Sequence, residues 1–202
     1  MNTIKELIHK LNKCEKIVLY TLGIVKNLHI LRLNKLHKIL FLASEVLPEL
    51  VELFSFDALY LGPFSIEINY SLSNLDKLEL VMFDNGQYRL TEKGQNTYRK
   101  LELKKELKNL LHDLKEFLWD VPEFYIFVYI CVTIPDFEEF SGNEITTYHR
   151  LQAAKYLFDQ QKINFTQAVE IAKVSISNFE ENTLEKDDLG IIRKYFKAAD
   201  SG

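Results

Sequence analysis

Hydrophobic residues recur at helical spacing along most of this chain. Residues 4–11, 15–26 and 28–50 each carry apolar side chains three or four positions apart. Because such positions lie on one face of an α-helix, the pattern predicts three successive helices. Pro48 is expected to mark the end of the third, since proline has no backbone N–H and does not continue a helix.

Residues 54–65 are apolar and aromatic, and we expect them to form a short extended link. Pro63 within it suits the first turn of a helix, where a backbone N–H has no partner in any case. A fourth helix is predicted from there to about Glu79, with a buried stripe formed by Ile66, Ile68 or Asn69, Leu72, Leu75 and Leu78.

The segment after this helix has the pattern of a β-hairpin. Two short apolar runs flank Asn85-Gly86, a dipeptide that readily adopts the positive φ angles of a tight turn. We therefore predict a hairpin over residues 80–90. Thr91 is expected to cap the next helix by accepting from a backbone N–H of its first turn.

The second half of the chain is predicted to be helices joined by loops. Leucines at helical spacing predict one long helix over residues 97–118, and a buried apolar helix follows over 123–134. A loop-like segment with a boundary near Gly142 comes next. From Thr146 onward the pattern predicts a helix, a link at residues 161–164 and two further short helices.

Composition narrows the class of protein. The chain has 202 residues, of which 47% are hydrophobic, which is enough to build a core. Cys14 and Cys131 have no CxxC partner, so we expect reduced thiols rather than disulfides or a metal ribbon. The charged N-terminus lacks the pattern of a secretory signal, and the apolar run 124–135 is shorter than the roughly 20 residues of a membrane span. A cytoplasmic protein without membrane contact is expected.

Charge is unevenly distributed. Residues 1–40 contain eight Lys or Arg and two Asp or Glu, a net charge of +6, so the rest of this chain of net charge −4 carries −10. A basic face of this kind can meet nucleic-acid phosphate or an acidic partner. It can equally be a solvated face that balances the acidic half of the protein.

The order of three helices and a hairpin resembles a winged helix-turn-helix. The words Tyr88-x-Leu90-Thr91-x-x-Gly94 look like the second strand of a wing and the start of the helix that follows it. In such a fold, the helix after Pro63 is the recognition helix and the hairpin is the wing.

A longer resemblance, over about residues 15–141, is to the Panacea (SocA-like) antitoxin domain and its uncharacterised relatives. It is carried by Lys35-Leu36-x-Lys38-Ile39-Leu40-Phe41 and by Tyr60-x-Gly62-Pro63-Phe64-Ser65. The chain departs from these relatives at Ile134-Pro135-Asp136, where Tyr-Pro-Glu is usual. The resemblance implies a helical, winged-helix-like fold and, by analogy with studied members, neutralisation of a toxin protein.

Residues 146–186 resemble a small antitoxin-like helix-turn-helix family. The matching positions are Ala153, Ala154, Leu157, Lys162, Ile163, Ala168, Ile171, Ala172, Val174, Ser175 and Phe179. In this interpretation Ala168 allows two helices to cross and Ser175 caps the second helix. Lys173 departs from the pattern, because this kind of turn often has glycine with a positive φ.

The candidate contacts with DNA lie in both helix-turn-helix units. They are Lys35, Lys38, Ser65, Asn69, Ser73 and Arg89 in the first unit, and Ser175, Ser177 and Asn178 in the second. Neither recognition-type helix is clearly basic, however, and carboxylates near phosphate oppose binding. DNA binding and protein binding therefore both remain open, and one protein can do both.

Catalytic or metal chemistry is not indicated. The five histidines are dispersed, and no P-loop, GxGxxG, GxSxG or HExxH motif occurs. The aromatic residues around Trp119 and Tyr125 are expected to pack in a core, with a partner-binding groove as the alternative. We therefore expect a non-enzymatic protein without cofactor or metal.

Together these patterns predict a mainly α protein. Residues 1–96 form a winged-helix-like domain with one β-hairpin, 97–141 form a long helix with an aromatic helix packed on it, and 142–202 form a C-terminal helix-turn-helix. The predicted function is regulation of antitoxin or transcription-regulator type, with double-stranded DNA and a toxin protein as partners. The alternative is a protein-binding module without DNA binding. A homodimer is expected of an operator-binding protein.

Overall fold

The computed structural model of the chain describes residues 4–25, 27–29, 33–59, 62–134 and 145–172. Over these residues the predicted mainly α class is confirmed. The helices are α1 (Ile4–Lys10), α2 (Lys13–Val25), α3 (Leu33–Val46), α4 (Ile66–Lys77), α5 (Glu92–Arg99), α6 (Lys105–Leu118), α7 (Glu123–Thr133), α8 (Thr147–Asp159) and α9 (Phe165–Ala172). The strands are β1 (Asn27–His29), β2 (Asp57–Leu59), β3 (Gly62–Phe64), β4 (Val81–Asp84) and β5 (Gln87–Leu90).

The hairpin predicted over residues 80–90 is present as β4 and β5. Asn85 and Gly86 form its turn with φ angles of 49° and 71°. Strand β5 pairs on its other side with β1, so the order in this three-stranded antiparallel sheet is β1-β5-β4. Strand β1 lies in a segment that was predicted to be helical, because three residues between two helices are too short to show a strand period.

A second hairpin replaces the predicted extended link. Strands β2 and β3 pair antiparallel, and Gly62 has a φ of 119°, a conformation that glycine adopts without strain. Pro63 therefore lies in a strand, and the prediction that it lies in the first turn of a helix is wrong. Helix α4 begins directly after β3, with Ser65 at its N-cap position.

The predicted long helix over residues 97–118 is two helices. Helix α5 ends at Arg99 and α6 begins at Lys105. Leu101 lies between them and is only 3% exposed. The helical spacing of the leucines alone favoured one continuous helix. In the structure the backbone leaves the helix between Arg99 and Lys105, and Leu101 is buried in this connection.

The described residues form two compact units. Residues up to Glu123 form the first, in which α2 packs on α4 and α5, and α3 packs on α6 and β3. Its core includes Val18, Leu19, Ile39, Leu40 and Leu75, none of which is exposed. Described residues from Phe124 onward form the second unit. The segment boundaries after residues 96 and 141 stay predictions.

The second unit contains α8 and α9 packed on each other. Thr146 caps α8 by accepting from the backbone N–H of His149. Asn164 and Gln167 cap α9 reciprocally, with N···O distances of 3.0 and 2.9 Å. The predicted helix at 146 and the link at 161–164 are confirmed. The predicted contacts Ser175, Ser177 and Asn178 lie outside the described residues.

In the part of the chain that the structure describes, no helix has the length and apolar composition that crossing a membrane requires.

Candidate functional site

Lys35 is inside the protein. Its residue is 5% exposed, and its ammonium group donates to the carbonyl oxygens of Trp119 and Val121 at 2.6 and 2.7 Å. These carbonyls lie at and just beyond the C-terminal end of α6, where a helix has unpaired acceptors and a partial negative charge. The side chain therefore holds the end of α6 against α3.

Lys38 is also buried, one turn further along α3. It is 1% exposed, and its ammonium nitrogen lies 3.5 Å from Oε2 of Glu123 at the start of α7. The expectation that Lys35 and Lys38 form an exposed basic face is therefore wrong. Exposed lysines of the basic N-terminal region lie instead on α1 and at the start of α2: Lys5, Lys10 and Lys13.

His37 links α3 to the start of α4. Its Nδ1 accepts from the backbone N–H of Ser65 at 3.1 Å, and its ring stacks on Phe64 with the centroids 5.0 Å apart. An accepting Nδ1 means that the ring is neutral and that Nε2 carries the proton. Nε2 and the Oδ1 of Asn69 are both buried, and neither completes a hydrogen bond within the usual geometric limits.

The pKa of His37 is lowered from 6.5 to about 4, mainly by burial; the Asn69 side chain opposes this shift, and the Lys38 charge adds to it. Above pH 6.5 the ring is neutral in both folded and unfolded chains, so it adds no pH dependence there. Between pH 6.5 and about 4 only the unfolded chain binds this proton, so stability falls as the pH falls.

We expect the His37 contribution to lower the free energy of unfolding by about 3 kcal/mol across that pH window. Urea unfolding at a series of pH values measures it. His37→Gln should flatten the decline relative to the parent chain, whereas the exposed His112→Gln should not. Parallel declines for all three proteins would contradict this prediction.

The remaining predicted contacts of the first unit differ in exposure. Ser65 is fully buried, and its hydroxyl donates to Oε2 of Glu67 at 2.6 Å, so it is not available to DNA. Asn69 is half-buried beside His37. Ser73 is exposed, and its contact with DNA stays a prediction. The same holds for Arg89, which is exposed on β5.

One face of α4 is exposed along its whole length. Ile66, Tyr70, Ser73 and Lys77 are all exposed, and their spacing of four, three and four residues places them on one line along the helix. We call these four residues the outer stripe of α4. Ile66 was predicted to be buried, but it is 43% exposed, and Tyr70 is 64% exposed. The core side of α4 is formed by Ile68, Leu72 and Leu75 instead.

The two flanks of α4 contact neighbouring elements. On one flank, Asn74 donates to Oε1 of Glu15 in α2 at 3.2 Å. Glu67 lies on this same flank, near Cys14. On the other flank, Asp76 lies close enough to Tyr88 of β5 to raise the pKa of that phenol, after burial as the larger cause. The outer stripe is thus fixed between α2 and the β4–β5 hairpin.

The β4–β5 hairpin adds exposed apolar surface. Met82 and Phe83 are 44% and 47% exposed. The Phe83 ring lies across from Tyr88, with the two centroids 4.7 Å apart. The guanidinium of Arg89 in β5 already has an acceptor within the hairpin. Its Nε and Nη2 donate to Oε1 of Gln87 at 3.2 and 2.8 Å.

Two hydrogen bonds of the Thr91 side chain join the start of α5 to the segment just after α4. The Thr91 hydroxyl oxygen accepts from Gly94 N–H at 2.9 Å and donates to the carbonyl of Glu79 at 2.7 Å. The predicted Thr91 cap is therefore confirmed. Gly94 packs against the carbonyl of Leu80 so closely that a Cβ at this position would overlap that oxygen. The close packing against Leu80 thus explains why glycine occupies the last position of the Leu90-Thr91-x-x-Gly94 motif.

No cluster of three or more His, Cys, Asp or Glu side chains is placed in the described ranges to hold a metal ion. An open cleft of about 530 Å³ lies at the turn between α8 and α9, lined by Phe158, Asp159, Gln161, Lys162, Ile163, Asn164 and Gln167. Neither cysteine forms a disulfide; Cys14 is half-buried and Cys131 is buried.

Comparison with protein-family models, with curated protein sequences and with solved structures returns no match for this chain.

Proposed function

We propose that this chain is a non-enzymatic regulatory protein of antitoxin type that binds a partner protein through the outer stripe of α4. The observation that carries the proposal is the contrast between buried and exposed groups. Lys35 and Lys38 are 5% and 1% exposed, whereas Ile66 and Tyr70 on the candidate recognition helix are 43% and 64% exposed.

The order of elements supports a winged-helix scaffold for this function. Helices α2, α3 and α4 are followed by the β4–β5 hairpin, and β1 between α2 and α3 completes the sheet in the order β1-β5-β4. A winged helix-turn-helix has this arrangement, with α4 in the place of the recognition helix and β4–β5 in the place of the wing. The β2–β3 hairpin is then an insertion between the second and third helices.

The chemistry of α4 favours a protein over DNA. Helices that read DNA carry polar or basic side chains towards the groove and lysine or arginine towards phosphate. The outer stripe has one cation, Lys77 at its C-terminal end, and two large apolar or aromatic side chains in its first half. Exposed aromatic side chains that neighbour other apolar groups are typical of protein interfaces.

The words that carry the Panacea resemblance have structural roles here. Lys35 holds the end of α6, Lys38 pairs with Glu123, and Gly62 begins β3 with a positive φ. Phe64 and Ser65 contact His37. Such residues maintain a scaffold, so they are compatible with different partners. The partner would then be chosen by the outer stripe, whose residues except Ser73 were not among the predicted contacts.

We expect Tyr70→Ala to weaken binding of the partner by about thirtyfold, the effect of removing an aromatic anchor worth about 2 kcal/mol. The candidate partner is the product of a neighbouring gene that arrests growth when it is expressed alone. Growth rescue by co-expression and calorimetry of the purified pair measure the effect. Tyr148→Ala is the matched control, because Tyr148 is 48% exposed on α8 in the other unit.

Binding to DNA is measured in parallel, by titrating the chain with its own upstream duplex and a scrambled duplex at increasing salt. We expect no preference for the upstream duplex. Salt-sensitive binding that prefers it would overturn the proposal in favour of an operator-binding regulator. Rescue that is equally strong with Tyr70→Ala and the parent chain would remove α4 as the binding site.

A further inference from the structure

Carboxylates lie on both flanks of the outer stripe of α4 and along the segment that follows it to the end of β5. Residues 66–90, from the start of α4 to the end of β5, contain four acidic residues, Glu67, Asp76, Glu79 and Asp84, and two basic residues, Lys77 and Arg89. Asp76, Glu79 and Asp84 are exposed, and Glu67 is half-buried. The local net charge is therefore −2, in addition to the exposed apolar groups of the stripe.

Two cations at this face already have acceptors within the protein. Arg89 donates to Gln87, and Lys93 donates to the carbonyl of Leu78 at 2.8 Å and lies 3.4 Å from Oε2 of Glu79. The Asp76 carboxylate is exposed and lies near a neutral phenol, Tyr88. Among the described residues no cation forms an ion pair with Asp76, so its negative charge is available to a partner.

We call Glu67, Asp76, Glu79 and Asp84 the carboxylate rim of the outer stripe. We propose that the outer stripe of α4 and this rim bind a cationic, amphipathic segment of the partner protein. The inference rests on the proposed protein-binding function and names the chemistry of the partner. Apolar side chains of the segment pack on Ile66 and Tyr70, and its lysines or arginines meet Asp76 and the other rim carboxylates. The Tyr70 ring can also accept a cation on its face.

Complementary charge should be visible in the association rate and in the dependence of binding on salt. Charges at the rim of an interface change the association rate and its dependence on salt, whereas a central aromatic anchor sets much of the affinity. Binding should therefore weaken as the salt concentration rises and when Asp76 is reversed in charge. An anionic partner, including DNA, is repelled by the same rim.

Two short synthetic helical peptides with identical leucine positions test this inference. One has lysine and the other glutamate at every remaining position. Each is titrated into the isotope-labelled full chain while backbone amide resonances are recorded. We expect the lysine peptide to shift resonances of α4 and of β4–β5, and to bind about tenfold more weakly in high salt. The glutamate peptide should not bind there.

Asp76→Lys should weaken binding of the lysine peptide about tenfold, by the loss of one favourable charge pair and the gain of a repulsive one. Asp113→Lys makes the same charge change at an exposed position of α6 and should leave binding unchanged. Equal binding of both peptides, shifts confined to other elements, or equal effects of the two variants would each overturn the inference.

The same variants separate this inference from the proposed function. If Tyr70→Ala abolishes growth rescue but Asp76→Lys and salt have no effect on the neighbouring gene product, the protein-binding function holds and the cationic partner does not. If the lysine peptide binds α4 but Tyr70→Ala leaves rescue intact, the proposed function fails at this site. Thermal unfolding of each variant checks that the fold is retained.

Discussion

Replacing Lys35 with methionine is expected to lower the free energy of unfolding by about 4 kcal/mol. Methionine keeps an unbranched, flexible side chain that is one atom shorter, but it cannot donate to the carbonyls of Trp119 and Val121. Both acceptors lie beside a side chain with 5% residual exposure, so water does not easily replace the ammonium group. Each buried acceptor left without a donor costs about 1–3 kcal/mol.

Urea unfolding followed by circular dichroism measures this loss. The matched control is Lys104→Met, because Lys104 is an exposed lysine that pairs with Glu49 at the surface. Exposed ion pairs contribute little to stability because water and salt screen them, so this variant should remain close to the parent chain. Equal stabilities of Lys35→Met and the parent would show that the Lys35 ammonium group does not hold the end of α6.

The burial of these lysines also affects the design of DNA-binding tests. Lys35→Glu would place a carboxylate against two carbonyl oxygens, and Lys38→Glu would place one near Glu123. Both variants are expected to unfold the first unit, so a lost DNA complex would report unfolding. Exposed lysines such as Lys10 and Lys77 are the appropriate positions for charge reversal.

Gly94→Ala is expected to destabilise the first unit by about 5 kcal/mol, beyond the range of most single substitutions. A Cβ at this position would overlap the carbonyl oxygen of Leu80, which is backbone and cannot rotate away. The same carbonyl accepts from the N–H of Thr91 at 3.1 Å. Relief of the overlap therefore requires α5 to separate from the turn between α4 and β4.

The melting temperature and the amide resonances of β4 and β5 report this effect. Gln95→Ala is the control, because Gln95 is exposed in the same turn of α5 and alanine favours helix. We expect its stability to change by less than about 0.5 kcal/mol. If Gly94→Ala melts at the same temperature as Gln95→Ala, the close contact with Leu80 is not a constraint on the fold.

Several local features followed directly from short stretches of sequence. The Asn85-Gly86 turn, the Thr91 cap and the apolar helix after residue 122 are all present as predicted. Each depends on interactions within a few residues: a positive φ, a hydroxyl that accepts from a first-turn N–H, or an apolar run of helical length. Neighbouring residues are sufficient to decide such features.

The errors arose where distant residues decide the outcome. Lys35 was interpreted as a surface cation, but its acceptors lie 84 and 86 positions further along the chain. Pro63 was placed in a helix, but its strand is completed by pairing with Ala58. Ile66 was predicted to be buried but is exposed. The apolar spacing within α4 does not determine which edge of its apolar face packs against α2.

The amino-acid sequence by itself determined the mainly α class, the β4–β5 turn, the Thr91 cap and most of the helices, because these depend on local backbone preferences and on apolar spacing. Only the tertiary structure decided which charged groups are buried and which apolar groups are exposed. Lys38 lies in the interior because Glu123 approaches it, and Tyr70 lies on the surface because Ile68 and Leu72 occupy the core side of α4. Burial is a property of the packed elements together, so the spacing of residues in one helix does not determine which face binds a partner.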